Sequence, residues 1–296
     1  MRWEGRRESD NVEDRRGEGA GLGGFGGGSS LVPLLLQFVI SKFGIGGIAV
    51  LAVGFIALNA IGVNPLALTG GPGGGVSMQR PSGEIATDAE TRFLRVVLAD
   101  TEDVWNGVFQ NYREPTMVLF SGRVNSACGT QSAAVGPFYC PGDASLYLDT
   151  DFFAQLSRRF GAPGDFAQAY VIAHEVGHHI QRETGVLSEI QRAKQGARES
   201  DANALQVRVE LQADCYAGVW AGRTERAKSV LEAGDIDEAL RAAEAIGDDA
   251  LQRQATGTVR PETFTHGTSA QRKRWFEKGF RTGDPAACDT LNADRL

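Results

Sequence analysis

Three side chains stand in the order His174, Glu175 and His178, inside the stretch Tyr170 to Gln181 that reads YVIAHEVGHHIQ. Residues four apart on an α-helix lie one turn apart on the same face, so the two imidazoles can converge on a single ion. Glu175, beside the first histidine, can then reach a water on that ion as general base. H-E-x-x-H is the spacing of zinc hydrolysis. The chain holds four histidines, of which His174, His178 and His179 fall in this stretch and the fourth is His266.

A catalytic zinc takes three protein ligands and leaves one position open for water. His179, Glu183, a more distant carboxylate and His266 are the candidates for the third. His179 follows His178 directly and points about 100° away around a helix, which makes it a poor partner. Downstream, Asp201 to Gly222 (DANALQVRVELQADCYAGVWAG) has helical periodicity, with Leu205, Val209, Ala213, Tyr216 and Trp220 as its apolar stripe. Glu210 and Asp214 stand four apart on a neighbouring face. Glu210 would complete a His/His/Glu set, and Asp214, one turn on, would accept the free ring N–H of a liganding histidine and raise its basicity.

The elements that position these groups follow from local signals. Asp165 to Gln168 reads as a capping box opening the helix of the signature. Phe166, Tyr170, Ala173, Gly177 and Ile180 form its buried side, and Thr184-Gly185 its stop. Gly177 would let another backbone approach closely. Earlier, Asp88 to Tyr112 reads as a helix, Thr116 to Phe120 as a buried strand, and Ser145 to Asp149 as a strand. This last strand is either an edge able to pair with an extended peptide substrate or an ordinary core strand. Thr268-x-x-Gln271 is a second capping box, with Trp275 and Phe276 anchoring its helix. Residues 226–254 carry helical patterning and read as scaffold.

The chain has 296 residues, 42% of them hydrophobic, and a net charge of −7, enough for one sizeable domain with appendages. The mild acidity, with no basic block, excludes a nucleic-acid partner. Residues 1–42 read as a charged, then glycine-rich disordered tail. Phe43 to Val63 carries no charge and matches the roughly 20 residues needed to cross a bilayer as a transmembrane helix. Residues 64–86 form a Gly/Pro/Ser linker, and residues 87–296 the folded domain. The basic residues preceding the apolar run place the N-terminus in the cytoplasm and the domain outside, periplasmic or extracellular. There, Cys128, Cys140, Cys215 and Cys288 would be free to form disulfides. Sequence alone allows three pairings. Cys128 and Cys140 would close a short loop, which would leave Cys215 to Cys288.

HEVGHH, the downstream ELQADCYAGVW and the earlier CGTQSAAVGPFYCP together resemble the neutral zinc metallopeptidase family of membrane-anchored bacterial proteins. The H-E-x-x-H and E-x-x-x-D logic is similar to that of the gluzincin peptidases. The resemblance implies an α+β, mostly helical, zincin-like peptidase domain with a small β element, preceded by one transmembrane helix. It implies one zinc ion on His174, His178 and Glu210, Glu175 as general base, Asp214 orienting His174, and a peptide or protein substrate. FTHGTSAQRKRWF is similar to the H-P-x4-R element of membrane-associated gluzincins, with Gly267 where proline is usual. His266 or Arg272 would then stabilise the oxyanion formed at a peptide carbonyl; otherwise His266 is a capping or core histidine and Arg272 a structural ion pair. The expectation is a membrane-anchored zinc endopeptidase, and the alternative a non-catalytic tethered binding protein with a vestigial zinc site.

Overall fold

The computed structural model describes residues 1–16, 18, 85–160 and 164–296. Residues 1–16 and 85–296 belong to one compact unit, of α+β type and mostly helical. The apolar run 43–63 and most of the expected linker lie outside the described residues. Among the described residues no helix is long and apolar enough to cross a membrane.

Four strands form the main sheet in the order β1 (Val12–Asp14), β2 (Thr116–Phe120), β6 (Ser145–Asp149), β5 (Phe138–Cys140). The first three run parallel, and β5 returns antiparallel to β6. β3 (Arg123–Ser126) and β4 (Gly129–Ser132) make a separate hairpin. The strands expected at 116–120 and 145–149 are both present, and each is almost wholly buried. β6 lies between β2 and β5, so it has no free edge for a substrate; that edge belongs to β5.

Helix α1 (Ala89–Asn106) is capped by Asp88, whose carboxylate accepts from the Thr91 amide, and it closes at Gly107, short of the expected Tyr112. After α2 (Asp151–Phe160), the signature helix α3 runs from Asp165 to Glu183. A short α4 (Val186–Lys194) leads to the long α5 (Glu199–Lys228). α6 (Asp235–Ala245), α7 (Asp248–Thr256) and α8 (Ser269–Thr282) complete the unit. Every residue of α5 from Val209 to Gly222 is buried, the polar Glu210, Gln212 and Asp214 included. α8 (Ser269–Thr282) packs against it at backbone distance: a Cβ on Gly218 would meet Phe276 O at 2.1 Å, and one on Gly279 would meet Cys215 O at 1.9 Å. Gly177 does the same between α3 and α5, where a Cβ would lie 2.9 Å from Ala213 Cα. That contact brings the two candidate ligand helices together.

Two expectations are corrected. The first sixteen residues are not a disordered tail. β1 pairs with β2 in register Val12↔Met117, Trp3 packs edge-on against Phe93 at 5.6 Å, and Met1 and Val12 are buried. The charges that look solvated in the sequence find partners within the domain: Arg7 with Glu102 at 2.8 Å, Glu8 with Arg95 at 2.7 Å, and Arg6 with Asp100. The capping box at Asp165 is also absent. Gly164 is the cap residue, with no side-chain cap bond, and the Asp165 carboxylate instead accepts the Met1 ammonium at 2.6 Å. At Thr268–Gln271 both capping-box bonds are present. Both disulfides form, Cys128–Cys140 and Cys215–Cys288.

Candidate metal centre

α3 and α5 bring His174, His178 and Glu210 together, with one ligand atom of each within 4.8 Å of the others. His174 Nε2 lies 3.2 Å and His178 Nε2 3.5 Å from Glu210 Oε2. Tetrahedral zinc with bonds of about 2.0–2.1 Å holds its ligand atoms about 3.3 Å apart. The proton positions support the same fit. Asp214 Oδ1 accepts from His174 Nδ1 at 2.8 Å, and Gln181 Oε1 accepts from His178 Nδ1 at 2.9 Å. In neutral rings both Nε2 atoms therefore present lone pairs toward a carboxylate. Lone pairs on all three atoms call for a cation among them. With a proton as that cation, burial would lower the His174 value, but Asp214 and Glu210 overcome it and raise it to about 9. His178 is raised against burial by Glu210. Glu210, although burial opposes it, is held well below the usual carboxylate range by His178 and His174.

Asp214 is wholly buried and carries four hydrogen bonds. Besides His174, its Oδ1 accepts from Tyr170 Oη at 2.5 Å and Arg272 Nη2 at 2.9 Å, and its Oδ2 accepts from Arg272 Nε at 2.8 Å. Burial pushes this carboxyl up, but Arg272 and His174 pull it well below its ordinary value. Arg272 is 2% exposed; its guanidinium pairs with Asp214 and also lines the cleft beside His174.

Glu175, His178, Glu210 and His266 line one cleft of about 530 Å³ with Phe138 and Tyr139. The His266 ring is half-exposed and lies 3.3 Å from Asp248 Oδ1. That hydrogen bond, acting against burial, raises its pKa. Asp248 Oδ2 accepts the backbone amides of Thr265, His266 and Gly267 at 2.7, 2.6 and 3.0 Å. Residues 226–254 are therefore more than scaffold, since Asp248 at the start of α7 shapes the His266 loop. Gly267 has φ +86°, which proline, fixed near −65°, could not adopt. The departure from H-P-x4-R is thus a different local turn.

Gln181, Tyr170 and Asp248 were not among the expected site residues. Gln181 had a readable signal, an amide three residues after His178 on one helical face. It is itself held by Val209 O at 2.7 Å and Gln212 Oε1 at 3.1 Å. Glu183 lies outside the cluster, paired with Arg113 at 3.0 Å, and His179 faces away from it.

Comparison with known proteins agrees with this centre. The family model described as "Putative neutral zinc metallopeptidase" matches residues 1–291. The chain is 45% identical over 301 residues to the uncharacterized protein YpfJ of Escherichia coli K12, covering 98% of this chain and 99% of that one. It is 50% identical over 203 residues to the uncharacterized protein Rv2575 of Mycobacterium tuberculosis H37Rv, covering 65% of this chain and 68% of that one. No solved structure matches. The chain belongs to the neutral zinc metallopeptidase family.

Proposed function

We propose that the protein is a zinc-dependent endopeptidase, with His174, His178 and Glu210 as metal ligands and Glu175 as general base. The observation carrying this reading is the 3.2 and 3.5 Å spacing of the two Nε2 atoms from Glu210 Oε2, in the same cleft as Glu175. Zinc held there would supply a Lewis acid and lower the pKa of a water toward about 7. Glu175 takes the proton from the attacking water and delivers it to the leaving amine. Asp214 and Gln181 keep both histidines in the tautomer that leaves Nε2 free. His266 lines the cleft, and Asp248, which favours its protonated form, would let it donate to the oxyanion that develops on the scissile carbonyl. The substrate is a peptide lying along the free edge of β5.

Glu175→Gln tests the reading, because the amide keeps the shape of the side chain and loses the base. Zinc stoichiometry should stay at one while hydrolysis of labelled casein falls by about 10²–10⁴-fold. Wild-type cleavage by that variant would remove Glu175 from the mechanism.

A further inference from the structure

His179 is the third histidine of HEVGHH, and it does not face the ligand cluster. It is wholly buried, on the side of α3 that meets β5. Its Nε2–H donates to the Arg113 carbonyl at 2.6 Å. A carbonyl only accepts, so in the neutral ring Nδ1 is the acceptor, and Tyr139 Oη donates to it at 2.9 Å. Tyr112 and Tyr139 pack edge-on against the same ring at 5.6 and 5.5 Å. One turn further, Arg182 Nε donates to Pro141 O at 2.8 Å. The last turns of the signature helix therefore grip both the middle of β5 and the residue that follows it.

The Cys128–Cys140 disulfide anchors the last residue of β5, and His179 holds its middle. The strand is three residues long and pairs on one side only, with β6, through Phe138↔Tyr147, Tyr139↔Leu146 and Cys140↔Ser145. Among the described residues its other edge has no strand partner. So short a strand holds weakly by backbone pairing alone. Yet Phe138, Tyr139 and Pro141 form a wall of the cleft that contains Glu175. A wall that shifts loses contacts to bound substrate, and that loss reads out in KM.

We infer that His179 is a positioning residue: through Tyr139 it fixes β5 against the signature helix, and so sets the height and register at which an extended peptide lies over Glu175. This rests on the peptidase reading above for its consequence in catalysis, though not for its consequence in structure. The side chain joins the metal helix to the substrate wall without touching the ion, the water or the peptide.

His179→Phe keeps the ring packing and removes both polar bonds, and Tyr139→Phe removes the single hydroxyl from the strand side, with far less risk to folding. We expect amide hydrogen exchange at 138–140 to rise about tenfold in both, the loss of about one hydrogen bond. KM for labelled casein should rise about tenfold, while kcat and the zinc Kd stay within twofold. His179→Asn, which retains an acceptor near Nδ1, should restore much of the Tyr139 bond and bring KM back toward wild type. Exchange at 138–140 unchanged in Tyr139→Phe would overturn the inference, as would a zinc Kd that shifts in step with KM. If the wild type cleaves nothing, the peptidase reading fails, and the exchange measurement still decides whether His179 holds the strand.

Discussion

Replacing Asp214 by asparagine separates the two tasks that one carboxylate performs. Asp214 supplies the negative charge for a guanidinium 2% exposed and the acceptor for His174 Nδ1. An asparagine keeps one acceptor oxygen but sets an amide N–H against an Arg272 donor, at 2.8 or 2.9 Å in the native pair. It also leaves a buried cation without its counter-charge. Breaking a buried pair on one side costs about 3–5 kcal/mol. At about 2–4 °C per kcal/mol for a domain of this size, the melting temperature should fall by about 6–20 °C. His174 is then less firmly oriented and less basic, so zinc affinity should drop about 10–100-fold, or about 1.4–2.7 kcal/mol. Thermal melts in chelator and competition with a chromophoric chelator measure the two effects separately. The double variant Asp214→Asn/Arg272→Met removes the orphaned charge, so it should regain most of the lost stability and none of the zinc affinity. A single variant that melts within 2 °C of wild type and binds zinc within about twofold would refute the reasoning.

Gln181→Leu should weaken zinc binding about tenfold or more, because His178 Nδ1 loses its 2.9 Å acceptor; an unchanged affinity in competition titration would remove Gln181 from the site. In chelator, His174 has its folded pKa raised from 6.5 to about 9. The stability from that proton is fully present below about pH 6.5 and is lost as pH climbs through about 9. Melting temperature should therefore fall across that window without metal, and should not do so with zinc, which displaces the proton; a flat metal-free profile would count against the arrangement. Of the two disulfides, Cys215–Cys288 spans 73 residues and Cys128–Cys140 spans 12. Loop-closure entropy assigns them about 4 and about 3 kcal/mol, so the double serine variant at 215 and 288 should unfold at the lower denaturant concentration.

The candidate ligand set was legible because helical spacing favours it. His174 and His178, like Glu210 and Asp214, are four apart, and Gly177 marks where the two helices touch. Strands β2 and β6 were legible as short apolar runs bounded by turn residues. Other features depend on contacts distant in the chain. Nothing local to Asp248 indicates that its carboxylate will collect three amides from residues 265–267. Nothing local to Arg272 separates an oxyanion donor from a partner of Asp214, 58 residues away. The alternating charges of residues 1–16 look like those of a solvated tail, since their partners Arg95, Asp100 and Glu102 are equally unremarkable in α1. β5 was hidden for another reason: three residues are too few to show a period.

The pairing of β1 with β2 bears on geography as well as on packing. Asp14, the last residue of β1, accepts the Ala86 amide at 3.2 Å, and Arg16 reaches Thr91 Oγ1 at 3.0 Å. The chain thus leaves the domain and re-enters it at one doorway. While that strand is paired, the first residues and the metal centre share one compartment.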